Sequence, residues 1–266
     1  MSKALDKFYT KPALVALCYT QLPSLATYDL IVEPSAGSGA FLQPLPITAL
    51  VQAYDLYPEP APELLHPIIA ADYLTLDPAT VRGAATYVLT VGNPPFGRNC
   101  SLALQFLKQA MNYSHTVAFI LPRSFKKVSV LNKVPLTFTL TSTLDLPVDG
   151  FLLDGASYDV PCVFQVWTRA DIPRVKLVAR TTTELFRFVT MEEASCAVRR
   201  VGVNAGRAFL DTERSPQSHY FLALPADIKP EEFVARCNSL TWEHNNTTGP
   251  RSISKGELIA QLEACE

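Results

Sequence analysis

Four stretches of this 266-residue chain put polar side chains where an apolar run stops. The β-branched and apolar run Tyr87 to Val91 drives into Gly92-Asn93-Pro94-Pro95-Phe96-Gly97. Prolines cannot donate to a sheet ladder, so the strand must end there. Glycine on either side lets the backbone bend or approach a ligand closely. What remains is a rigid rim with one Asn amide, free carbonyls and one exposed ring. A second stretch, Glu33-Pro34-Ser35-Ala36-Gly37-Ser38-Gly39-Ala40-Phe41, also follows an apolar run. Its small residues allow close backbone contact, and a helix starting after them would present free N–H groups. The loop lacks the Lys-Ser/Thr of a P-loop and the third glycine of a dinucleotide turn. Glu33 repels a pyrophosphate and suits a ligand with a cationic end. Asp55 ends the next run, where a carboxylate commonly holds two ribose hydroxyls; a helix N-cap or a solvent contact is its ordinary alternative. Asp72-Tyr73 could bond an adenine amine and cover its ring, or simply cap the turn before "YLTL".

The elements that must carry these residues follow from the pattern. Residues 11–22 have a proline near the start and apolar residues at helical spacing, which predicts a helix. A short strand, a Gly-rich turn and the start of a helix are expected over 28–42, and further strands within 49–58, 66–76, 86–96, 116–125, 142–148 and 160–169, with an amphipathic helix over 101–113. Continuous apolar strands alternating with helices predict an α/β fold: a seven-stranded, mostly parallel sheet covered by helices on both faces. Ligands of such sheets bind beyond the carboxyl ends of the strands, where the polar residues stand. After about residue 170 the texture changes. Residues 1–170 are expected to form the catalytic domain. Residues 171–266 are expected to form a small α+β module with short strands, a turn at Asn204-Ala205-Gly206, a helix from near Pro230, a polar loop over 243–252 and a last helix capped by Ser254 with Glu257.

The totals set bounds. A hydrophobic fraction of 48% and a net charge of −2 suit a globular protein with a sizeable core. They argue against coating nucleic acid through bulk charge, though not against a local basic groove. The six cysteines and four histidines have no ligand spacing, so free thiols and no metal site are expected. No stretch approaches a membrane span, and the N-terminus lacks an apolar signal core, so a cytoplasmic, membrane-free protein is expected.

Together, "EPSAGSGAF" and the "NPPF" at 93–96 resemble the two motifs of class I S-adenosylmethionine-dependent methyltransferases, a Rossmann-like family, in the expected order. The second resembles the [Asp/Asn]-Pro-Pro-[Tyr/Phe] motif of the amino-methyltransferases that act on N6 of adenine. "DKFYTKPALV" resembles the aromatic-Thr-Pro segment of the γ-order DNA members, with Lys11 intervening before the proline. The resemblance covers residues 6 to about 169. It implies a cofactor site of Phe8, Tyr9, Thr10, Glu33, Pro34, Ser35, Ala36, Gly37, Gly39, Phe41, Asp55, Asp72, Tyr73 and Asn93. It implies catalysis by Asn93, Pro94, Pro95 and Phe96. Asn93 Oδ1 and the Pro94 carbonyl would accept the two N–H bonds of the amine, directing its lone pair at the sulfonium methyl without a general base. Phe96 would stack on the base, and Tyr158 is placed where members of the family often keep a second ring.

Arg123 and Lys126, with Lys127, follow the fifth strand, and Arg199 and Arg200, with Arg207 and Arg214, flank the turn of the C-terminal module. Each set could face phosphates or be a solvated surface. The expected activity is N6-adenine methylation of DNA with S-adenosylmethionine, DNA being favoured over RNA. The alternatives are an RNA N6-adenosine methyltransferase, a protein glutamine methyltransferase and a non-catalytic subunit.

Overall fold

The computed structural model describes residues 8–61, 63–153, 155–242 and 251–264. The chain divides into two compact units, one ending at Leu177 and the other beginning at Val178.

The first unit opens with a two-residue strand, β1 (Tyr9–Thr10), and helix α1 (Pro12–Tyr19), which has proline in its first turn and buries Leu14, Val15 and Cys18. Next come β2 (Leu30–Glu33), β3 (Val51–Asp55), β4 (Ile68–Ala70), the short α2 (Pro78–Arg82) and β5 (Val88–Gly92). Helix α3 (Ser101–Met111) follows, then β6 (Thr116–Pro122), the one-turn α4 (Val128–Leu131) and β7 (Phe138–Asp145). A hairpin of β8 (Phe151–Leu153) and β9 (Ala156–Tyr158) precedes β10 (Cys162–Arg169).

Seven strands form one sheet in the order β4-β3-β2-β5-β6-β10-β7. All neighbours are parallel except β10, which runs antiparallel to both β6 and β7. This is a Rossmann-like α/β fold of the class I methyltransferase type. Burial explains the layout. Every residue of β2, β5 and β6 is buried, as expected for strands covered on both faces, whereas the edge strand β7 alternates between the two environments. α3 turns Ala103, Phe106, Leu107, Ala110 and Met111 inward at helical spacing. β1 pairs with β8 in a separate small sheet. Residues 171–177 stay with the first unit, where the Arg174 guanidinium donates to the carbonyls of Leu131, Val134 and Phe138.

Two expectations are corrected. No helix follows the Gly-rich loop: residues 37–44 form successive turns. Gly37 and Gly39 take positive φ of 55° and 81°, and Pro44 and Pro46 cannot continue a helical ladder. The sixth strand begins at Phe138 rather than Ser142, because its ladder with β10 continues past a bulge at Val166/Trp167 to the pair Phe138–Arg169.

In the second unit β11 (Arg187–Phe188), β12 (Cys196–Arg199), β13 (Ala208–Phe209) and β14 (His219–Ala223) form an antiparallel sheet in the order β11-β14-β12-β13. Helices α5 (Pro230–Ser239) and α6 (Lys255–Glu263) share its core with Phe186, Val198 and Leu222. The capping box forms: Glu257 N–H donates to Ser254 Oγ at 3.2 Å and Ser254 N–H to Glu257 Oε2 at 2.8 Å. Residues 203–206 form the expected turn, and a Cβ on Gly206 would lie 2.3 Å from Trp242. The five described cysteines are free and buried, and burial pushes the Cys196 and Cys237 thiols up to about 12. Cys265 and residues 243–250 of the expected polar loop lie outside the described residues. Among the described residues, no helix is long and apolar enough to cross a membrane.

Candidate active site

The carboxyl ends of β2, β3, β4 and β5 lie on one edge of the sheet, and a cavity of about 530 Å³ opens there. That volume lies within the range of small-molecule sites. It is lined by Phe8, Tyr9, Thr10, Glu33 to Ser38, Phe41, Asp55, Asp72, Tyr73, Asn93 and Pro95, among others. The four chemistry-bearing strand ends therefore converge.

Glu33 closes β2 and is 2% exposed. Its Oε2 has no hydrogen-bond partner. Burial, and then the nearby Asp55 charge, hold its carboxyl well above the usual carboxylate range. Gly92, at the end of β5, takes a φ of 156°, and a Cβ there would lie 3.4 Å from Glu33 Cγ, in ordinary contact. An orphaned buried carboxyl on the wall of a cavity fits a cationic group, which would supply the missing partner.

Asp55 closes β3 and ties two loops. Its Oδ2 accepts the Gly37 N–H and its Oδ1 the Tyr57 N–H, both at 2.8 Å. Each oxygen keeps lone-pair capacity for a further donor such as a ribose hydroxyl. The Gly37 N–H thus serves Asp55 and is not presented by a helix. Tyr9 stands over the Gly-rich loop and bonds to Glu59 through its hydroxyl. Gly39 is not among the residues that line the cavity, and a Cβ there would lie 2.3 Å from Leu64.

Asp72 does what its ordinary reading predicts, accepting the Leu74 N–H at 3.1 Å, while still facing the cavity. Tyr73 is 1% exposed and stacks on Phe106 at 5.4 Å. Its hydroxyl pairs with that of Tyr113 at 2.6 Å, and Tyr113 in turn contacts Thr90. The Tyr73 ring is therefore a fixed wall.

Asn93 follows β5. Its Nδ2 donates to the Phe8 carbonyl and to Thr10 Oγ1, each at 3.2 Å. Among the described residues Oδ1 receives no hydrogen bond. The amide is thereby held with its oxygen as the available acceptor. Ser35 Oγ donates to the Asn93 carbonyl at 3.2 Å and ties this turn to the Gly-rich loop. Pro95 lines the cavity, whereas Pro94 and Phe96 do not. The expected exposed ring is in fact 8% exposed. Phe96 packs 6.5 Å from Phe8, and its carbonyl accepts the Leu102 and Ala103 N–H groups at the start of α3, which turns the residue inward. Tyr158 is 37% exposed and stacks on Phe8 at 5.4 Å.

Most of the basic candidates are already engaged, whereas Arg123 Nε is buried and makes no hydrogen bond among the described residues. Lys126 Nζ contacts both oxygens of Asp145 at 3.1 and 2.9 Å, and Arg123 Nε lies 3.6 Å from the same carboxylate. Such exposed pairs contribute about 0–1 kcal/mol, so they yield readily to a stronger anion. In the second unit Arg199 Nε donates to the Val201 carbonyl, and the Arg200 guanidinium lies over the Tyr220 ring.

Leu56, Tyr57, Arg98, Leu102 and Phe106 also line the cavity. Phe106 was readable from the apolar stripe of α3. Tyr57, two residues past a strand-end acid, and Arg98, beside the Pro-Pro turn, carry no comparable signal.

No family profile and no curated protein matches this chain. Similarity is found among solved structures. One is a modification subunit of a type I restriction enzyme from Vibrio vulnificus: 16% identity and a TM-score of 0.44 over 62% of this chain and 45% of that one. An RNA methyltransferase from Pyrococcus horikoshii gives 16% and 0.46 over 62% and 88%. A class I S-adenosylmethionine-dependent methyltransferase from Listeria monocytogenes gives 15% and 0.45 over 64% of each chain. Those functions are provisional assignments for those proteins. The chain spans less than half of the first one's length. The likeness is one of fold.

Proposed function

We propose that this chain is a methyltransferase that uses S-adenosylmethionine to methylate the N6 amine of adenine in DNA. The observation that carries the reading is the anchoring of Asn93. With Nδ2 held by Phe8 and Thr10, Oδ1 is fixed as an acceptor beside the Pro94-Pro95 turn. An amide oxygen and a neighbouring main-chain carbonyl can hold both hydrogens of an exocyclic amine and favour its pyramidal form. A ring-delocalised amine is a poor nucleophile, and this grip is what it lacks.

The residues present fit the cofactor. Glu33 would take its ammonium group and Asp55 its ribose hydroxyls. Tyr73 and Asp72 would border its adenine, and the Gly37 turn under Tyr9 would let it lie against the backbone. When bound, it supplies a methyl group on a sulfonium. Asp55 adds negative potential to the same cavity, and Glu33 adds to it once a cationic partner draws off its proton, which suits a cation and opposes a pyrophosphate. Pro95 and Phe8 line the cavity beside Asn93. DNA is favoured by the aromatic-Thr segment that precedes the Gly-rich loop, here Phe8 to Thr10.

Methyl transfer from labelled cofactor to DNA, RNA and protein tests the reading. Label in DNA is the expected result. Label confined to RNA or to protein, or no transfer at all, would refute it.

A further inference from the structure

A second cavity, of about 420 Å³, is built from the connection between β3 and β4 and shares no lining residue with the first. Its volume also lies within the range of small-molecule sites. Pro58, Pro60, Pro67 and Leu64 give it a stiff apolar wall. Its polar side chains are Glu59 and His66. His66 is 7% exposed, and its Nε2 is buried without a hydrogen-bond partner among the described residues. A buried polar atom left unpaired is costly, and a ligand in this cavity would supply the bond it lacks.

Two of its walls also hold the Gly-rich loop. Glu59 accepts the hydroxyl of Tyr9, whose ring stands over Gly37, and the Glu59 N–H donates to the Gly37 carbonyl at 3.5 Å. Leu64 packs so closely on Gly39 that no Cβ fits between them. Gly37 in turn donates to Asp55 and lines the first cavity. The two cavities are therefore linked through one loop.

We propose that this second cavity binds a small neutral aromatic alcohol, and that its occupant favours the loop conformation that takes the cofactor. The coupling rests on the methyltransferase reading above, and the site does not. Proline rings present C–H faces that pack well on aromatic rings. A hydroxyl both donates and accepts, so it satisfies His66 Nε2 in either tautomer. Glu59 places a carboxylate in the wall, which opposes an acid. That carboxylate is already bonded to Tyr9, so an amine gains less from it. A ligand that touches Glu59 and Leu64 braces both clamps in the arrangement that turns Gly37 towards Asp55. Whatever binds one state preferentially populates it, and the effect between the two sites is reciprocal.

Phenol is the probe, titrated into the full chain with its histidine rings and leucine methyls labelled for NMR. The His66 and Leu64 signals should shift and saturate with a Kd of about 1 mM, the scale expected of so small a ligand. Benzoate should leave them unmoved. His66→Leu should weaken phenol binding roughly tenfold through the loss of one buried hydrogen bond. If that variant does not fold, the wild-type shifts decide alone. S-adenosylhomocysteine, as occupant of the first cavity, should leave phenol in place and lower its Kd roughly fivefold, and phenol should tighten S-adenosylhomocysteine by the same factor. Unmoved His66 and Leu64 signals, or a wild-type Kd in His66→Leu, overturn the site. Displacement of phenol by S-adenosylhomocysteine, or an unchanged Kd, overturns the coupling and leaves the methyltransferase reading standing. Saturable His66 shifts without any S-adenosylhomocysteine binding support the site and overturn that reading together with the coupling.

Discussion

Asn93 and Glu33 are the residues on which the proposed chemistry turns, and each has a measurable signature. Asn93→Ala removes the acceptor but not the cavity. Methyl transfer should fall by at least about 100-fold in kcat, as when a preorganised polar group is removed from a reacting centre. The cofactor Kd from equilibrium dialysis should stay within about threefold. Glu33 predicts a pH dependence. Its unfolded carboxyl ionises near the ordinary 4.5, while the folded one keeps its proton to higher pH. The folded state therefore binds more protons between those two values, and the stability of the ligand-free protein falls as pH rises through that window. A cationic ligand favours the ionised form, so binding should release a proton and tighten with rising pH. Calorimetry in buffers of different ionisation enthalpy reads that proton directly. Glu33→Gln should abolish the release, weaken cofactor binding roughly 10- to 100-fold and leave the apo protein at least as stable at neutral pH.

At the scale of elements, the site depends on turns more than on helices. The sequence made the strands legible because buried parallel strands read as unbroken apolar runs, and because Pro94 and Pro95 mark a strand end unambiguously. The Gly-rich loop misled: small residues after a strand suggest a helix, but Pro44 and Pro46 leave too little chain to propagate one. Phe96 also differed from its expectation, since a ring beside two prolines gives no sign of which way it faces until α3 docks on its carbonyl. The close approach of Gly39 to Leu64, a residue distant in sequence, left no signal in the pattern. Gly39→Ala should therefore cost about 1–3 kcal/mol, through its positive φ and the crowding by Leu64, and lower the thermal transition. β1 gives a sharper test. Thr10→Val removes one of the two acceptors that hold Asn93 Nδ2, so kcat should drop roughly 3- to 10-fold with circular dichroism unchanged.

For the whole molecule, each unit has its own core. The composition shift at 171 signalled the change of texture, while the side-chain hooks of Arg174 that keep 171–177 with the first unit left no trace in the pattern. Every residue lining the cavity belongs to the first unit. A chain ending at Leu177 should accordingly bind S-adenosylmethionine with a Kd within about threefold of the full chain, measured by calorimetry. Loss of binding would show that the site needs the second unit.

The central claim is that Asn93 Oδ1 holds an exocyclic ring amine for methylation. Nucleoside mass spectrometry of DNA incubated with labelled cofactor and either the wild type or Asn93→Ala addresses it most directly. The account predicts N6-methyldeoxyadenosine from the wild type and none above background from the variant. Label on a ring carbon, or equal N6-methyldeoxyadenosine from both proteins, would contradict it.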